Sequence, residues 1–169
     1  MKLKVFDFDD TLVRTGSLIK ITHKDGTTVD LNPSEYALYT VREGDEFDFS
    51  DFDTVVDPVR TKMMKVFRAK AIANKGKGVF VLTARSDKSK RAVRSYLRTI
   101  VGDDVMKRLK VVTLNSGDPY DKAMWIRNKV TEEGYDDVYF VDDSWKNCRA
   151  VGDVISNITS VKQLEIQKV

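Results

Sequence analysis

Carboxylates, one threonine and one lysine stand at or soon after the ends of four short apolar runs of the chain. They are Asp7, Asp9, Asp10, Thr83, Lys122, Asp142 and Asp143. If the runs are parallel strands, their carboxyl ends lie side by side, and these polar groups meet at one edge of a sheet. Two like charges about 4 Å apart repel by roughly 4 kcal/mol at an effective dielectric constant near 20. Unless the carboxylates take up protons, we therefore expect a cation among them, and ligand atoms that are all oxygen favour Mg²⁺.

The elements that must position these residues are short strands and amphipathic helices in alternation. Four runs have the composition of strands buried on both faces: 3–8, 79–83, 109–113 and 138–141. The stretches between them predict helices over 57–74, 87–100 and 121–133, and in the first of these Val59, Met63, Phe67 and Ala71 should form one buried stripe. This alternation predicts an α/β fold with a doubly wound, Rossmann-like parallel sheet.

Residues 13–56 interrupt the alternation after the first strand. Two runs rich in β-branched residues flank Lys24-Asp25-Gly26, and Asp-Gly in that setting predicts a β-hairpin. The segment Asn32-Pro33-Ser34-Glu35 predicts a helix start with Asn32 as the N-cap. We therefore expect one domain over 1–169, in which 13–56 form a hairpin and a small cap that leaves the site partly open.

Composition and charge bound the function further. Hydrophobic residues make up 41% of the chain and charged residues 33%, which is typical of a globular domain. One cysteine and one histidine exclude an internal disulfide and a zinc site, and no apolar run is long enough for a membrane span or a leader, so we expect a cytoplasmic protein. The net charge is +3, but residues 43–53 contribute −6, so the remainder carries +9 and suits an anionic substrate.

The order of the polar motifs resembles that of the haloacid dehalogenase superfamily of phosphohydrolases. The first motif, D-x-D-x-T-L, is Asp7-Phe8-Asp9-Asp10-Thr11-Leu12, and the second is a strand that ends in Thr83. The third is Lys122, and the fourth is the acidic pair Asp142-Asp143. The resemblance covers about 1–12 and 57–160. The short cap is also similar to that of polynucleotide end-processing phosphatases, although the chain has no kinase P-loop.

This resemblance implies a role for each motif residue. Asp7 would be the nucleophile that forms an aspartyl-phosphate, and Asp9 would protonate the leaving oxygen and then take a proton from water. Thr83 would bind a phosphoryl oxygen, and Lys122 would balance the charge of the nucleophile and the phosphate. Asp10 stands where many relatives have glycine, and aspartate tolerates the left-handed conformation that this position needs.

The resemblance also implies a Mg²⁺ site and contacts with the substrate. The ion would be held by Asp7, by the backbone carbonyl of Asp9 and by Asp142, with Asp143 acting directly or through water. Two further residues are candidates for substrate binding: Thr11 and Arg85. A surface charge without a role at the site is the alternative for Arg85.

The implied function is a Mg²⁺-dependent phosphomonoesterase. An open site and a basic surface favour a nucleotide or nucleic-acid terminal phosphate as the substrate, with a small-metabolite phosphatase and an inactive binding protein of the same fold as alternatives. The order of the motifs excludes a signalling receiver module. Outside the motifs, packing is favoured over base stacking for Trp145, the basic stretch 87–98 is expected to be a solvated face, and Tyr36 and Tyr39 are candidates for lining a lid.

Overall fold

Five parallel strands form the central sheet, and helices pack on both of its faces. The computed structural model describes the whole chain, residues 1–169. The strands are β1 (Lys2–Phe6), β2 (Val13–Arg14), β3 (Ile19–Thr22), β4 (Thr28–Leu31), β5 (Glu46–Asp48), β6 (Val59–Arg60), β7 (Val79–Thr83), β8 (Lys110–Thr113), β9 (Asp137–Asp142) and β10 (Gln163–Lys168). The α-helices are α1 (Pro33–Ala37), α2 (Met63–Ala73), α3 (Lys90–Val101), α4 (Asp103–Met106), α5 (Pro119–Glu133) and α6 (Trp145–Ile155).

The central sheet has the strand order β10-β9-β1-β7-β8. The chain enters at the middle strand, β1, adds β7 and β8 on one side, and then adds β9 and β10 on the other. Phe6 on β1 lies opposite Val81 on β7 and Val141 on β9. Because the direction of strand addition reverses at β1, the edge beyond the carboxyl ends of β1, β7 and β9 is where such sheets bind ligands.

Two apolar layers hold the helices against the sheet. Phe6 points into the layer shared with α2, α3 and α4, where its ring packs edge-on against Phe67 at 5.1 Å and Tyr139 at 5.6 Å. Val5 points into the layer shared with α5 and α6. Neighbouring residues of a strand face opposite sides, so a strand covered on both faces must be apolar at every position. This explains the unbroken apolar runs.

The helix starts that flank the candidate site are fixed by local sequence. The side chain of Asp118 caps α5 by accepting the N–H of Tyr120 at 2.9 Å, and proline follows it at the first helical position. Gly134, with φ 77°, ends the same helix. Ser144 caps α6 by accepting the N–H of Asn147 at 3.4 Å. No helix in the chain combines the length and the apolar composition that crossing a membrane requires.

The segment 13–56, here called the insertion, contains a separate antiparallel sheet with the strand order β4-β3-β5. The predicted hairpin is confirmed as β3 and β4, joined through a turn in which Gly26 has φ 85°. The predicted capping box is also confirmed: Asn32 Oδ1 accepts the N–H of Glu35, and Glu35 Oε2 accepts the N–H of Asn32, both at 2.8 Å. β5 adds a third strand that the acidic sequence did not predict.

The other differences from the predicted elements lie at edges and boundaries. The helix predicted over 57–74 begins only at Met63, so the place given to Val59 in a buried stripe is wrong: Val59 belongs to β6, pairs with β2 and is 64% exposed. Asp57 has φ 42° and precedes a proline, so it cannot be helical, and Val59 and Arg60 pair with β2 instead of starting the helix. β10 was not predicted, because its residues are mostly polar at an edge of the sheet.

Candidate functional site

Asp7 lies at the carboxyl end of the central strand and is almost completely buried. Its backbone N–H donates to the carbonyl of Val141 on the adjacent β9 at 2.9 Å, which continues the parallel pairing by one residue. Its Oδ1 accepts a hydrogen bond from Lys122 Nζ at 2.7 Å, and its Oδ2 accepts one from Thr11 Oγ1 at 2.8 Å. Burial raises the pKa of Asp7 above its ordinary value, and these two hydrogen bonds oppose that rise because they stabilise the ionised form.

Lys122 joins two carboxylates that are distant in sequence. It lies in the first turn of α5, and its Nζ donates to Asp7 Oδ1 and, at 2.8 Å, to Asp142 Oδ2. Burial alone would lower the pKa of Lys122, but the attraction of Asp7 and Asp142 outweighs it and raises the pKa above its ordinary value. The lysine is therefore a fixed positive charge between the two acids.

Asp142 ends β9 and has no exposed surface. Its Oδ2 accepts from Lys122 and, at 3.0 Å, from Asn147 Nδ2, while its Oδ1 accepts from the N–H of Ser144 at 2.9 Å. Asn147 is not among the site residues predicted from the sequence. The available signal was its place three residues after the N-cap Ser144, which turns it back toward the strand end.

Asp143 is half-buried and differs from the other two acids because it forms no ion pair. Its backbone N–H donates to Thr11 Oγ1 at 3.1 Å, and its Oδ1 lies 3.3 Å from the same oxygen. Burial, together with repulsion by Asp7 and Asp142, raises the pKa of Asp143 to about 7. Its negative charge is therefore uncompensated within the protein.

The three acids could hold a metal ion together. One carboxylate oxygen from each of Asp7, Asp142 and Asp143 lies within 4.8 Å of the others. Three carboxylates against the single ammonium group of Lys122 leave a formal balance of −2, which one divalent cation would neutralise. All of the ligand atoms are oxygen, as Mg²⁺ prefers. The residues present therefore fit the predicted ion in both chemistry and charge.

Asp9 and Arg85 form a second charged group beside the first. Arg85 Nε donates to Asp9 Oδ2 and Nη2 donates to Asp9 Oδ1, both at 2.8 Å, in a two-pronged ion pair. Arg85 Nη1 donates to the backbone carbonyls of Phe52 at 2.8 Å and Thr54 at 2.6 Å. The guanidinium group also lies 5.3 Å from the ring centres of Phe8 and Phe52. Arg85 therefore connects Asp9 to the insertion.

The structure clarifies the two residues predicted to bind substrate. Arg85 is 6% exposed, so its alternative as a surface charge is wrong, and its donors are taken by Asp9 and by two carbonyls. Thr11 is fully buried, and its hydroxyl links Asp7 to Asp143 instead of facing a cavity. Thr83 is buried at the end of β7, where its Oγ1 accepts the N–H of Arg85 at 3.2 Å. As expected, Asp10 adopts a left-handed conformation, with φ 61°.

For residues outside the motifs, the structure contradicts some of the predictions and confirms one. The packing role predicted for Trp145 is wrong, because this side chain is 68% exposed. Lys168 Nζ lies 5.6 Å from its ring centre. Neither Tyr36 nor Tyr39 lines the cavity that lies between the insertion and the ends of β7 and β8. Tyr36 packs edge-on against two phenylalanines, and the hydroxyl of Tyr39 donates to Asp45 at 2.6 Å. The basic stretch 87–98 is a largely solvated face, as predicted.

A cavity of about 830 Å³ lies between the insertion and the ends of β7 and β8. Asp9 and Arg85 line it from the sheet side, and Phe47, Phe49 and Phe52 line it from the insertion. It has the size of a small-molecule site, for which about 300–1,000 Å³ is usual. These phenylalanines are not among the predicted site residues, because they occur in a stretch whose sequence shows no clear pattern of secondary structure.

Comparison with known proteins identified no family. No protein-family model matches the chain. No curated protein matches it either. Among solved structures, the chain is similar to the crystal structure of the Legionella pneumophila effector Ceg4, with 17% sequence identity and a TM-score of 0.49, over 99% of this chain and 85% of that one.

Proposed function

We propose that this protein is a Mg²⁺-dependent phosphomonoester hydrolase of the haloacid dehalogenase type. In this proposal the central sheet is the doubly wound, Rossmann-like core of that superfamily, and residues 13–56 are its small cap insertion. The observation that carries the proposal is the environment of Asp7. It is a buried carboxylate at the switch point of the sheet, paired with Lys122 and adjacent to two further acids. A simple ion pair would not need the second and third carboxylates.

In the first step, a carboxylate oxygen of Asp7 attacks the phosphorus atom, and the bond from phosphorus to the ester oxygen breaks. The leaving oxygen takes a proton from Asp9 as it departs. Lys122 stays protonated throughout, holds Asp7 in place and offsets charge on the phosphoryl oxygens. Thr83 is the proposed hydroxyl partner of a phosphoryl oxygen. The product of this step is an aspartyl-phosphate and a free alcohol.

In the second step, water attacks the phosphorus atom and gives a proton to the carboxylate of Asp9. The bond from phosphorus to Asp7 breaks, which regenerates the free carboxylate and releases inorganic phosphate. Both oxygens of Asp9 accept from Arg85 in the structure, and each oxygen keeps a second lone pair that can take up a proton. Arg85 is thus a positioning residue for Asp9.

Mg²⁺, held by the carboxylates of Asp7, Asp142 and Asp143 and the backbone carbonyl of Asp9, would supply positive charge that polarises the phosphoryl group and aligns it with Asp7. Removal of the ion is expected to leave repulsion between Asp143 and its neighbours, consistent with the raised pKa of this acid. Because the ion would polarise and align the phosphoryl group, a chelator should abolish activity.

The proposed substrate is a nucleotide or a nucleic-acid terminal phosphate. The cavity beside Asp9 supports this, because aromatic side chains line it and it is large enough for more than a phosphate group. The overall basic balance outside 43–53 is a second, weaker support.

A phosphate-release screen tests the proposal. The purified protein is incubated with p-nitrophenyl phosphate, nucleoside monophosphates, 3′- and 5′-phosphorylated oligonucleotides and sugar phosphates, each with Mg²⁺ or with a chelator. We expect phosphate release from at least one substrate in the presence of Mg²⁺ and none with the chelator. Absence of release from every substrate with Mg²⁺ would contradict the proposed function and favour a binding protein.

A further inference from the structure

The cavity between the insertion and the sheet edge adjoins Asp9, the proposed acid for the leaving oxygen. Asp9 and Arg85 form part of its lining, whereas the buried cluster of Asp7, Lys122 and Asp142 does not. On the proposed function, on which this inference rests, the phosphoryl group lies against that cluster. The remainder of the substrate must then occupy the cavity.

The insertion side of this cavity is aromatic and fixed in orientation. The rings of Phe47 and Phe49 stack nearly parallel, with 6.2 Å between their centres and 17° between their planes. Tyr36 packs edge-on against Phe47 at 6.1 Å and against Phe49 at 5.7 Å, which fixes both rings. Phe49 is still 46% exposed, so part of its ring is free to contact a ligand. A flat ring system stacks well on such a surface.

The charge of the cavity argues against a second phosphate. Asp9 and Arg85 neutralise each other, and the remaining charged residues of the lining are Asp48, Asp53 and Lys88. Two carboxylates against one ammonium group leave the lining slightly negative. A nucleoside diphosphate or the backbone of a polynucleotide would place further negative charge against it. A neutral leaving group suits it better.

Polar groups on the opposite side of the cavity offer hydrogen bonds to a flat ligand. Asn115 and Ser116 follow β8 and also line the cavity. An amide and a hydroxyl provide both donors and acceptors, which the edge of a nucleobase can pair with.

We propose that this cavity is the leaving-group pocket and that it binds the nucleoside part of a nucleoside monophosphate, with the base against Phe49. The pocket then sets the substrate class within the proposed hydrolase. Mononucleotides are preferred over sugar phosphates because of the base, and over diphosphates and phosphorylated oligonucleotides because of the acidic lining.

The test compares adenosine 5′-monophosphate with ribose 5-phosphate, which has the same sugar and phosphate but no base. We expect the wild type to have a higher kcat/KM for the nucleotide, and Phe49→Ala to reduce this preference by about ten- to a hundredfold. Phe49→Tyr should retain it. Leu38→Ala is the matched control, because Leu38 is an exposed apolar residue of the insertion that does not line the cavity.

A binding measurement separates this inference from the proposed function. Calorimetry with the Asp7→Asn variant compares the affinities of the same two ligands without turnover, and the base should contribute a similar factor that Phe49→Ala removes. Equal kcat/KM and equal binding for the two ligands would overturn the nucleoside pocket and leave the hydrolase standing. Faster release from a phosphorylated oligonucleotide than from the mononucleotide would overturn the mononucleotide preference. Selective binding without any turnover would support the pocket and contradict the hydrolase.

Discussion

The two charged groups of the candidate site differ in the source of their side chains and in their charge balance. Asp7, Lys122 and Asp142 come from the central sheet and a helix packed on it, and with Asp143 they keep a formal charge of −2. Asp9 and Arg85 cancel each other, and Arg85 also binds two carbonyls of the insertion. The first group is therefore rigid and carries a net negative charge. The second group is neutral, and the position of Arg85 within it depends on the position of the insertion.

In the proposed hydrolase, this difference would assign the reaction to the first group and contact with the leaving group to the second. The buried group has a formal charge of −2, which one divalent cation would neutralise, and nothing in the insertion contributes to it. The pair of Asp9 and Arg85 is already neutral and lines the cavity that we propose as the leaving-group pocket. Substitutions in the two groups should therefore have different signatures, and not only different magnitudes.

The largest effect is expected for Asp7→Asn. An amide cannot act as the nucleophile, so phosphate release should fall by more than about 10⁴-fold. The fold should persist, because Lys122 keeps its bond to Asp142 and one negative charge leaves a crowded cluster. Release from p-nitrophenyl phosphate and thermal unfolding give the two readouts. The exposed Asp104→Asn serves as the control. Near-normal turnover in Asp7→Asn would exclude the covalent route.

Lys122→Met should have the largest effect on stability. It leaves two buried carboxylates without their cation, and breaking a buried ion pair in this way costs about 3–5 kcal/mol. Urea unfolding measures the change in the free energy of unfolding, with a chelator present. Lys107→Met removes an exposed lysine that also pairs with an aspartate, and it should change stability little. Equal changes for the two variants would refute the view of Lys122 as the charge that holds the buried group together.

Asp9→Asn should reveal its role through the leaving group. The kcat/KM for phenyl phosphate, whose leaving oxygen needs a proton, should fall by about 10²- to 10⁴-fold. The loss for p-nitrophenyl phosphate, which has the same ring but a better leaving group, should be much smaller. Because kcat/KM reports the steps up to formation of the aspartyl-phosphate, it isolates this proton transfer. Equal losses on the two substrates would contradict the role of Asp9 as an acid.

Arg85→Lys should reproduce a weaker form of the same signature. Lysine keeps the charge but cannot bond both oxygens of Asp9 and two carbonyls at once, so Asp9 loses its fixed position. We expect a loss of about 10²-fold in kcat/KM for phenyl phosphate and less for p-nitrophenyl phosphate. In the Asp9→Asn background, Arg85→Lys should add little. If the two losses multiply instead, Arg85 acts independently of Asp9. The exposed Arg91→Lys is the matched control.

The same division explains what the sequence could predict. The buried group was predictable because strands covered on both faces must be apolar, and the first polar residue after each run marks its carboxyl end. Parallel neighbours then bring Asp7 and Asp142 together whatever the intervening loops do. Lys122 followed from the same logic, since it lies in the first turn of the helix after β8.

The insertion side was less predictable for equally physical reasons. The bonds of Arg85 to the carbonyls of Phe52 and Thr54 involve backbone atoms, which every residue carries, so they leave no mark in the sequence. Exposure of Trp145 depends on which side of α6 faces solvent at its first residue. The acidic stretch that contains Phe47 and Phe49 has too few apolar positions to show a period.

The last prediction concerns Asp143, whose charge has no partner in the buried group. Its pKa is raised to about 7 in the folded protein against 3.8 ordinarily, so the folded state binds this proton more tightly than the unfolded state. This contribution to stability is complete below about 3.8 and is lost as the pH rises through about 7. Asp143→Asn should therefore gain stability relative to the wild type over that interval, measured by urea unfolding with a chelator.

At a pH above about 7, added Mg²⁺ should make the wild type more stable than Asp143→Asn. The wild type then holds the ion with three carboxylates and the variant with two, so the wild type should gain more stability from added Mg²⁺. Asp104→Asn, which removes an exposed carboxylate, should show neither the pH-dependent gain nor the altered response to the ion. A pH-independent difference between Asp143→Asn and the wild type would mean that Asp143 is already neutralised within the protein, and the −2 balance that distinguishes the buried group from the neutral pair of Asp9 and Arg85 would not hold.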